Sequence, residues 1–185
     1  MIEHRTGRAL VLGAGASGIA AARLLTAKGW RVAVIDRNPA LAEQLRGMGF
    51  STEAVEALSD TSSITAGSVD FAVVSPGIPR RHPWLADLQS KRVPVLPEFE
   101  LGVHFMPGVQ VVAVTGSNGK SSLVKWIADT LTLAGTSAVP AGNYGLPPCD
   151  LVVRGDIPRV LVLELSSFQL EQSVCFRPFL LPGFG

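Results

Sequence analysis

An apolar run that ends in glycines and opens at once onto a helix-forming segment occurs twice in this chain. The first is RALVLGAGASGIAAARLL (residues 8–25) and the second is VQVVAVTGSNGKSSLVKW (residues 109–126). A strand buried on both faces reads as a continuous apolar run, and strand, tight turn and helix in succession build a parallel sheet. Glycines at such a junction let backbone N–H groups approach a ligand at the positive end of a helix, where phosphate binds. The two junctions therefore point to an α/β fold and to phosphate-bearing ligands.

The rest of the chain keeps the alternation. After the first junction, RVAVID reads as a strand, PALAEQLRGMG as a helix that starts at its proline, VDFAVVS as a buried strand, WLADLQSK as a short helix and VPVL as a strand. STEAVEALSDTSSITAGS is polar and gives no clear element. The pattern restarts near Pro107, so the expected division is a Rossmann-like parallel-sheet domain over residues 1–106 and a second α/β domain over residues 107–185. In the second domain, RVLVLELSS is the last clear strand, and the domain reads as unfinished, which leaves an edge of its sheet open.

Composition removes several classes of partner. Net charge is +1 with Lys and Arg scattered, so there is no electrostatic footprint for nucleic acid or an anionic membrane surface. No apolar run approaches the roughly 20 residues of a membrane span, and the N-terminus is not a signal peptide, which reads as cytoplasmic. Cys149 and Cys175 have neither metal-ligand spacing nor a disulfide framework and read as reduced thiols.

Gly13, Gly15 and Gly18 form G-x-G-x-x-G after a strand, and Asp36 ends the next strand, about where a ribose-binding acid would sit. Three readings are open for this loop: NAD, another nucleotide, or close strand–helix packing with Ser17 as a helix cap. The second loop is more specific. Gly116, Ser117, Asn118 and Gly119 supply an anion nest, Lys120 can reach the β- and γ-phosphates of ATP, Ser121 can ligate Mg²⁺, and Ser122 follows it. Its spacing departs from G-x-x-x-x-G-K-[ST], because Val114 stands where the first glycine would be. Glu164, near the end of a buried strand, suits Mg²⁺ held directly or through water, with an exposed strand-end acid as the alternative.

VTGSNGKSS, AGNYGLPP and LELSSFQLE, in this order, resemble the central domain of the Mur ligases, and SSFQLE with the preceding SPGIP fits best their D-glutamate-adding branch. The resemblance covers about residues 9–178. It implies an ATP-dependent acid–D-amino-acid ligase of peptidoglycan synthesis, a cytoplasmic monomer whose substrates are UDP-N-acetylmuramoyl-L-alanine and D-glutamate. It also implies a Rossmann-like domain that grips the UDP end of the sugar nucleotide, followed by a P-loop-type ATPase domain that holds ATP and Mg²⁺. By that mapping Ala16 and Ser17 line the diphosphate, Asp36 and Arg37 lie near uracil or ribose, and Ser75, Pro76 and Gly77 lie along the UDP-sugar. Asn143 contacts substrate near the reacting end, while Lys120 and Glu164 serve phosphoryl transfer and metal.

The family pattern continues to an N-x-x-x-D-H element, a carbamylated lysine and a further domain. Here His4, His82 and His104 all precede Glu164, and the last lysine is Lys125. The ATPase domain is therefore expected to be incomplete, and the chain by itself to be a truncated form unable to finish ligation. Among minor candidates, His82 reads as a helix-start residue, Arg80 and Arg81 as a solvated or diphosphate-facing pair, and Glu98 and Glu100 as acids favouring a helix start. Two other classes compete with a ligase: an NAD-binding oxidoreductase built on the first loop, and a non-catalytic nucleotide-binding module.

Overall fold

The computed structural model describes residues 7–173, 176 and 179–180. His4, Cys175 and most of the terminal FLLPGFG lie outside the described residues. The chain divides into two compact units, Met1–Glu98 and Phe99–Gly185.

In the first unit the chain runs through β1 (Arg8–Leu12), α1 (Ala16–Ala27), β2 (Arg31–Ile35), α2 (Leu41–Gly47), β3 (Val55–Leu58), β4 (Phe71–Val74), α3 (Pro83–Ser90) and β5 (Val95–Pro97). The five strands form one parallel sheet in the order β3-β2-β1-β4-β5. That is the doubly wound order, whose direction of winding reverses between β1 and β4. The register sets Leu12 beside Ile35 and Val74. The residues that follow, Gly13, Asp36 and Ser75, therefore emerge side by side.

Alternation along each strand divides the core between the two faces of the sheet. Leu10, Leu12, Ala33, Ile35, Ala72 and Val74 pack with Trp84 and Leu88 of α3. Ala9, Val11, Val32 and Val34, which alternate with them, are also buried. Helix α1 packs on β1, β2 and β4 with Ile19, Ala20, Ala21, Ala22, Leu24 and Leu25 buried.

Two readings of this unit need correction. Helix α2 starts at Leu41 and not at Pro39, because Asn38 folds Pro39 and Ala40 into a turn through Ala40 N–H to Asn38 Oδ1 (3.0 Å) and Leu41 N–H to Asn38 O (3.1 Å). The polar stretch without a clear element contains edge strand β3, in which Val55 is buried and Glu56 exposed.

The second unit contains most of α4 (Glu98–His104), then β6 (Gln110–Val114), α5 (Lys120–Leu133), β7 (Ala138–Gly142), α6 (Pro148–Arg154), β8 (Val160–Glu164), α7 (Ser167–Glu171) and β9 (Phe179–Leu180). Its parallel sheet has the order β7-β8-β6-β9. Because β9 lies along β6, the open edges of this sheet are β7 and the two-residue β9. One core gathers Phe99, Met106, Val111, Ala113, Ala141, Leu151, Leu161 and Leu163. A second joins Val114, Val160 and Val162 to Val124 and Ala128 of α5.

The division between units falls after Glu98, ahead of the expected one after residue 106, because Phe99 and Met106 are buried in the second unit's core. Among the described residues no helix is long and apolar enough to cross a membrane.

Candidate functional site

The first candidate site lies where β1 and β4 end, the crevice in which open α/β sheets bind their ligands. Gly13 N–H is tied to Ile35 O at 2.8 Å. Its φ of +91° is a conformation that favours glycine, and a Cβ there would approach Ser75 to 3.3 Å. Gly18 has a different reason to be glycine. A Cβ at Gly18 would stand 1.8 Å from Gly13 O and 2.8 Å from Ser75 Oγ, so the helix can begin this close to the turn only without a side chain. Gly15 meets nothing within 4 Å and stands exposed as the N-cap of α1 with no side-chain cap bond.

The first-turn N–H groups of α1, at exposed Ala16 and half-buried Ser17, thus lie over an open space at the positive helix end. Ser17 is not the helix cap, because the chain is already extended at Gly15 (φ −71°, ψ −178°) and Gly15 takes that position.

Asp36 stands next to the glycine loop and holds it. Its Oδ2 accepts from Ala14 N–H at 2.7 Å and its Oδ1 from Asn38 N–H at 3.0 Å. Ser75 is buried and donates from Oγ to Gly13 O at 3.2 Å, while half-buried Pro76 and exposed Gly77 continue along the crevice. Ala16, Ser17, Asp36, Ser75, Pro76 and Gly77 are therefore brought to one end of the sheet. Arg37 is exposed and extends to Trp84 at the start of α3, with its guanidinium carbon 5.9 Å from the ring centre. His82 caps α3, accepting at Nδ1 from Trp84 N–H at 3.3 Å, and its ring lies 4.3 Å from that of Trp84. Burial, followed by the positive charge of Arg37, holds the His82 imidazole below its ordinary value. Trp84's part in this cluster is not legible in sequence, because Arg37 and Trp84 meet only through the fold.

The second candidate site belongs to the other unit. Between β6 and α5 the loop 115–119 is mostly exposed, with Gly116 at φ +147° and Gly119 at φ +74° as the left-handed N-cap of α5. No side chain caps α5, which leaves its first N–H groups available to an anion. Lys120 Nζ donates to Gly116 O at 2.8 Å and to Ser117 O at 3.4 Å, lying over the loop. Ser117, Asn118, Ser121 and Ser122 are exposed around it.

Glu164 is paired in register with Val114, next to the loop, and Leu165 N–H bonds Val114 O at 3.0 Å. Its carboxylate is buried, and Oε2 has no hydrogen-bond partner among the described residues. Asn143 is brought to the same strand end, its N–H bonding Glu164 O at 3.0 Å. Gly142 makes that approach possible, since at φ +92° a Cβ would stand 2.4 Å from Glu164 O. The glycines of AGNYG were the sequence signal for this close turn.

Among the described residues no group of three or more His, Cys, Asp or Glu comes together to hold a metal ion. Mg²⁺, however, keeps several waters and takes substrate phosphate oxygens, so one or two protein oxygens suffice. A buried carboxylate oxygen with no partner, beside a phosphate-type loop, fits that role.

Residues 7–97 match the family model of the Mur ligase MurD-like N-terminal domain. A UDP-N-acetylmuramoylalanine--D-glutamate ligase of Streptococcus uberis is 36% identical over 173 residues, which cover 92% of this chain and 38% of the relative. A ligase of the same name from Koribacter versatilis is 37% identical over 182 residues, covering 96% and 39%. That of Trichodesmium erythraeum is 32% identical over 171 residues, covering 92% and 37%. The chain thus spans less than two fifths of the length of these curated relatives. Residues 7–97 are thus similar to the MurD-like N-terminal domain of the Mur ligases.

Proposed function

We propose that this chain is the part of a D-glutamate-adding Mur ligase that grips UDP-N-acetylmuramoyl-L-alanine with its first unit and ATP with its second. The diphosphate lies on the N–H groups of Ala16 and Ser17. Asp36 and Arg37 face the uridine end, and Ser75, Pro76 and Gly77 follow the sugar. In the second unit the N–H groups from Gly116 to Ser122 and the Lys120 ammonium hold the β- and γ-phosphates. Ser121 and Glu164 would hold Mg²⁺, which supplies charge neutralisation for the transferring phosphoryl group. Asn143 orients the acceptor carboxylate.

The chemistry follows from the weakness of a carboxylate as an electrophile. The γ-phosphoryl group passes from ATP to the alanyl carboxylate, giving an acyl phosphate and ADP. The amine of D-glutamate then attacks the carbonyl carbon and phosphate leaves. Lys120 and the loop N–H groups stabilise the charge spread over the transferring oxygens. No covalent enzyme nucleophile is needed. D-glutamate, peptidoglycan synthesis and a cytoplasmic location belong to the activity of the whole ligase.

One observation carries this reading. Each of two parallel sheets presents a glycine loop at the carboxyl end of a strand, in a chain aligned over more than nine tenths of its length with D-glutamate ligases. An NAD oxidoreductase built on the first loop gives Lys120 and Glu164 no task. The test is calorimetry with UDP and Mg·ATP separately. Both should bind, with Lys120→Met removing ATP and sparing UDP. Loss of both in that variant, or binding of neither by the folded chain, would refute the reading, and the latter would favour a non-catalytic remnant.

A further inference from the structure

The sheet order places β1 between β2 and β4, yet Arg37, which follows β2, reaches Trp84, which follows β4. The contact therefore joins the loop after β2 to the start of α3, two segments that lie on either side of β1 in the sheet order. The far anchor is itself fixed. Trp84 is buried in the core cluster that also holds Leu88 and Ile35, and the His82 ring lies 4.3 Å from its own. Guanidinium, indole and imidazole form a succession of contacts that starts in the core and ends at an exposed charge.

We infer that His82 and Trp84 are positioning residues that hold the Arg37 guanidinium across the crevice, where it serves the nucleoside end of a nucleoside diphosphate. This rests on the proposed function. A flexible arginine loses rotamer freedom when it binds, and docking it on an aromatic face in advance removes part of that cost. The dock depends on neutral His82. Nδ1 accepts the Trp84 N–H, and a proton on Nδ1 would replace that acceptor with a donor and set a cation beside Arg37. Arg37 is the charged group that acts on His82 from the β2 side. Arg80 and Arg81 precede it on its own loop, and Asp87 and Lys91 of the α3 end pair with each other. Acid should therefore loosen Arg37 and weaken binding of the nucleoside.

The experiment titrates the chain with UDP and with inorganic pyrophosphate, for wild type, Arg37→Met, Trp84→Phe and His82→Asn. Asn keeps an N-cap acceptor and does not titrate. A cation–π contact at an exposed site corresponds to about two- to fivefold in affinity. Arg37→Met and Trp84→Phe should weaken UDP by about that factor and leave pyrophosphate unchanged. The wild-type affinity for UDP, divided by that of His82→Asn, should fall between pH 7.5 and pH 5.5. That ratio cancels the titration of UDP itself. Because Arg37 is exposed, Arg37→Met tests the idea even if a core variant at Trp84 unfolds. Equal weakening of UDP and pyrophosphate, or a pH-independent ratio, would overturn the inference while leaving the nucleotide site intact. Failure of UDP to bind the wild-type chain would overturn both.

Discussion

Replacing Gly18 by alanine separates the structural part of the first glycine loop from its ligand-binding part. Gly18 lies inside α1, where alanine by itself would gain about 1 kcal/mol in helix propensity. Against that gain stands a Cβ 1.8 Å from Gly13 O, a backbone atom that the Gly13–Ile35 bond and the Ser75 hydroxyl hold in place. Neither side can turn away as a flexible side chain would. Overpacking of this kind costs about 3 kcal/mol or more, leaving a net loss of about 2 kcal/mol. For a unit of this size, that lowers the unfolding midpoint by about 10 °C.

Gly15→Ala is the matched control. It has ordinary φ and nothing within 4 Å, so the lower entropy of its unfolded state and the poorer N-cap roughly cancel, and stability should stay within about 0.5 kcal/mol. Its Cβ would nevertheless enter the open side of the loop and weaken UDP. Thermal unfolding followed by fluorescence of Trp30 and Trp84 reads the first effect, and calorimetry reads the second. The reasoning is refuted if Gly18→Ala melts with the wild type, or if Gly15→Ala is the less stable of the two.

Four other substitutions address the second unit. Lys120→Met should weaken ATP at least tenfold and change unfolding free energy by less than about 0.5 kcal/mol, because its ammonium bonds only two loop carbonyls; parallel titration and urea unfolding check this. Glu164→Gln should reduce the difference between ATP titrations with Mg²⁺ and with a chelator, without lowering the unfolding midpoint, since Oε2 has no partner to lose among the described residues. Gly142→Ala combines left-handed strain with a Cβ 2.4 Å from Glu164 O and should cost about 2–4 kcal/mol. Gly155→Ala, at φ +77° with nothing within 4 Å, should cost about 1–2 kcal/mol, and urea unfolding ranks the two.

Stability should also fall as pH drops below 6.5 through His82. Its folded-state proton affinity is reduced, so the unfolded chain takes up the proton first, and the loss grows until the folded pKa is reached. Unfolding midpoints of wild type and His82→Asn should diverge only on that acid side.

Where apolar runs were long, the sequence made the fold legible. β1, β2, β4, β6 and β8 are buried on both faces and stand out as continuous runs. β3 and β7 did not, for physical reasons that differ. β3 is an edge strand whose Glu56 faces solvent. β7 is the edge strand AVPAG, and a proline within a run reads against a strand unless it lies at an edge. The candidate sites were legible as residue types, because glycine, lysine and acid spacing follows the chemistry of phosphate. Their geometry was not. Nothing local says that Asp36 bonds Ala14 N–H, that Gly142 admits Asn143 to Glu164, or that Arg37 crosses to Trp84. Each depends on parallel register between strands that are distant in sequence.

The most direct test of the account is calorimetric titration of the chain with UDP-N-acetylmuramoyl-L-alanine and, in parallel, with NAD⁺. The account predicts saturable binding of the sugar nucleotide, weakened in Gly15→Ala, and no heat from NAD⁺. Binding of NAD⁺ with no response to the sugar nucleotide would contradict it.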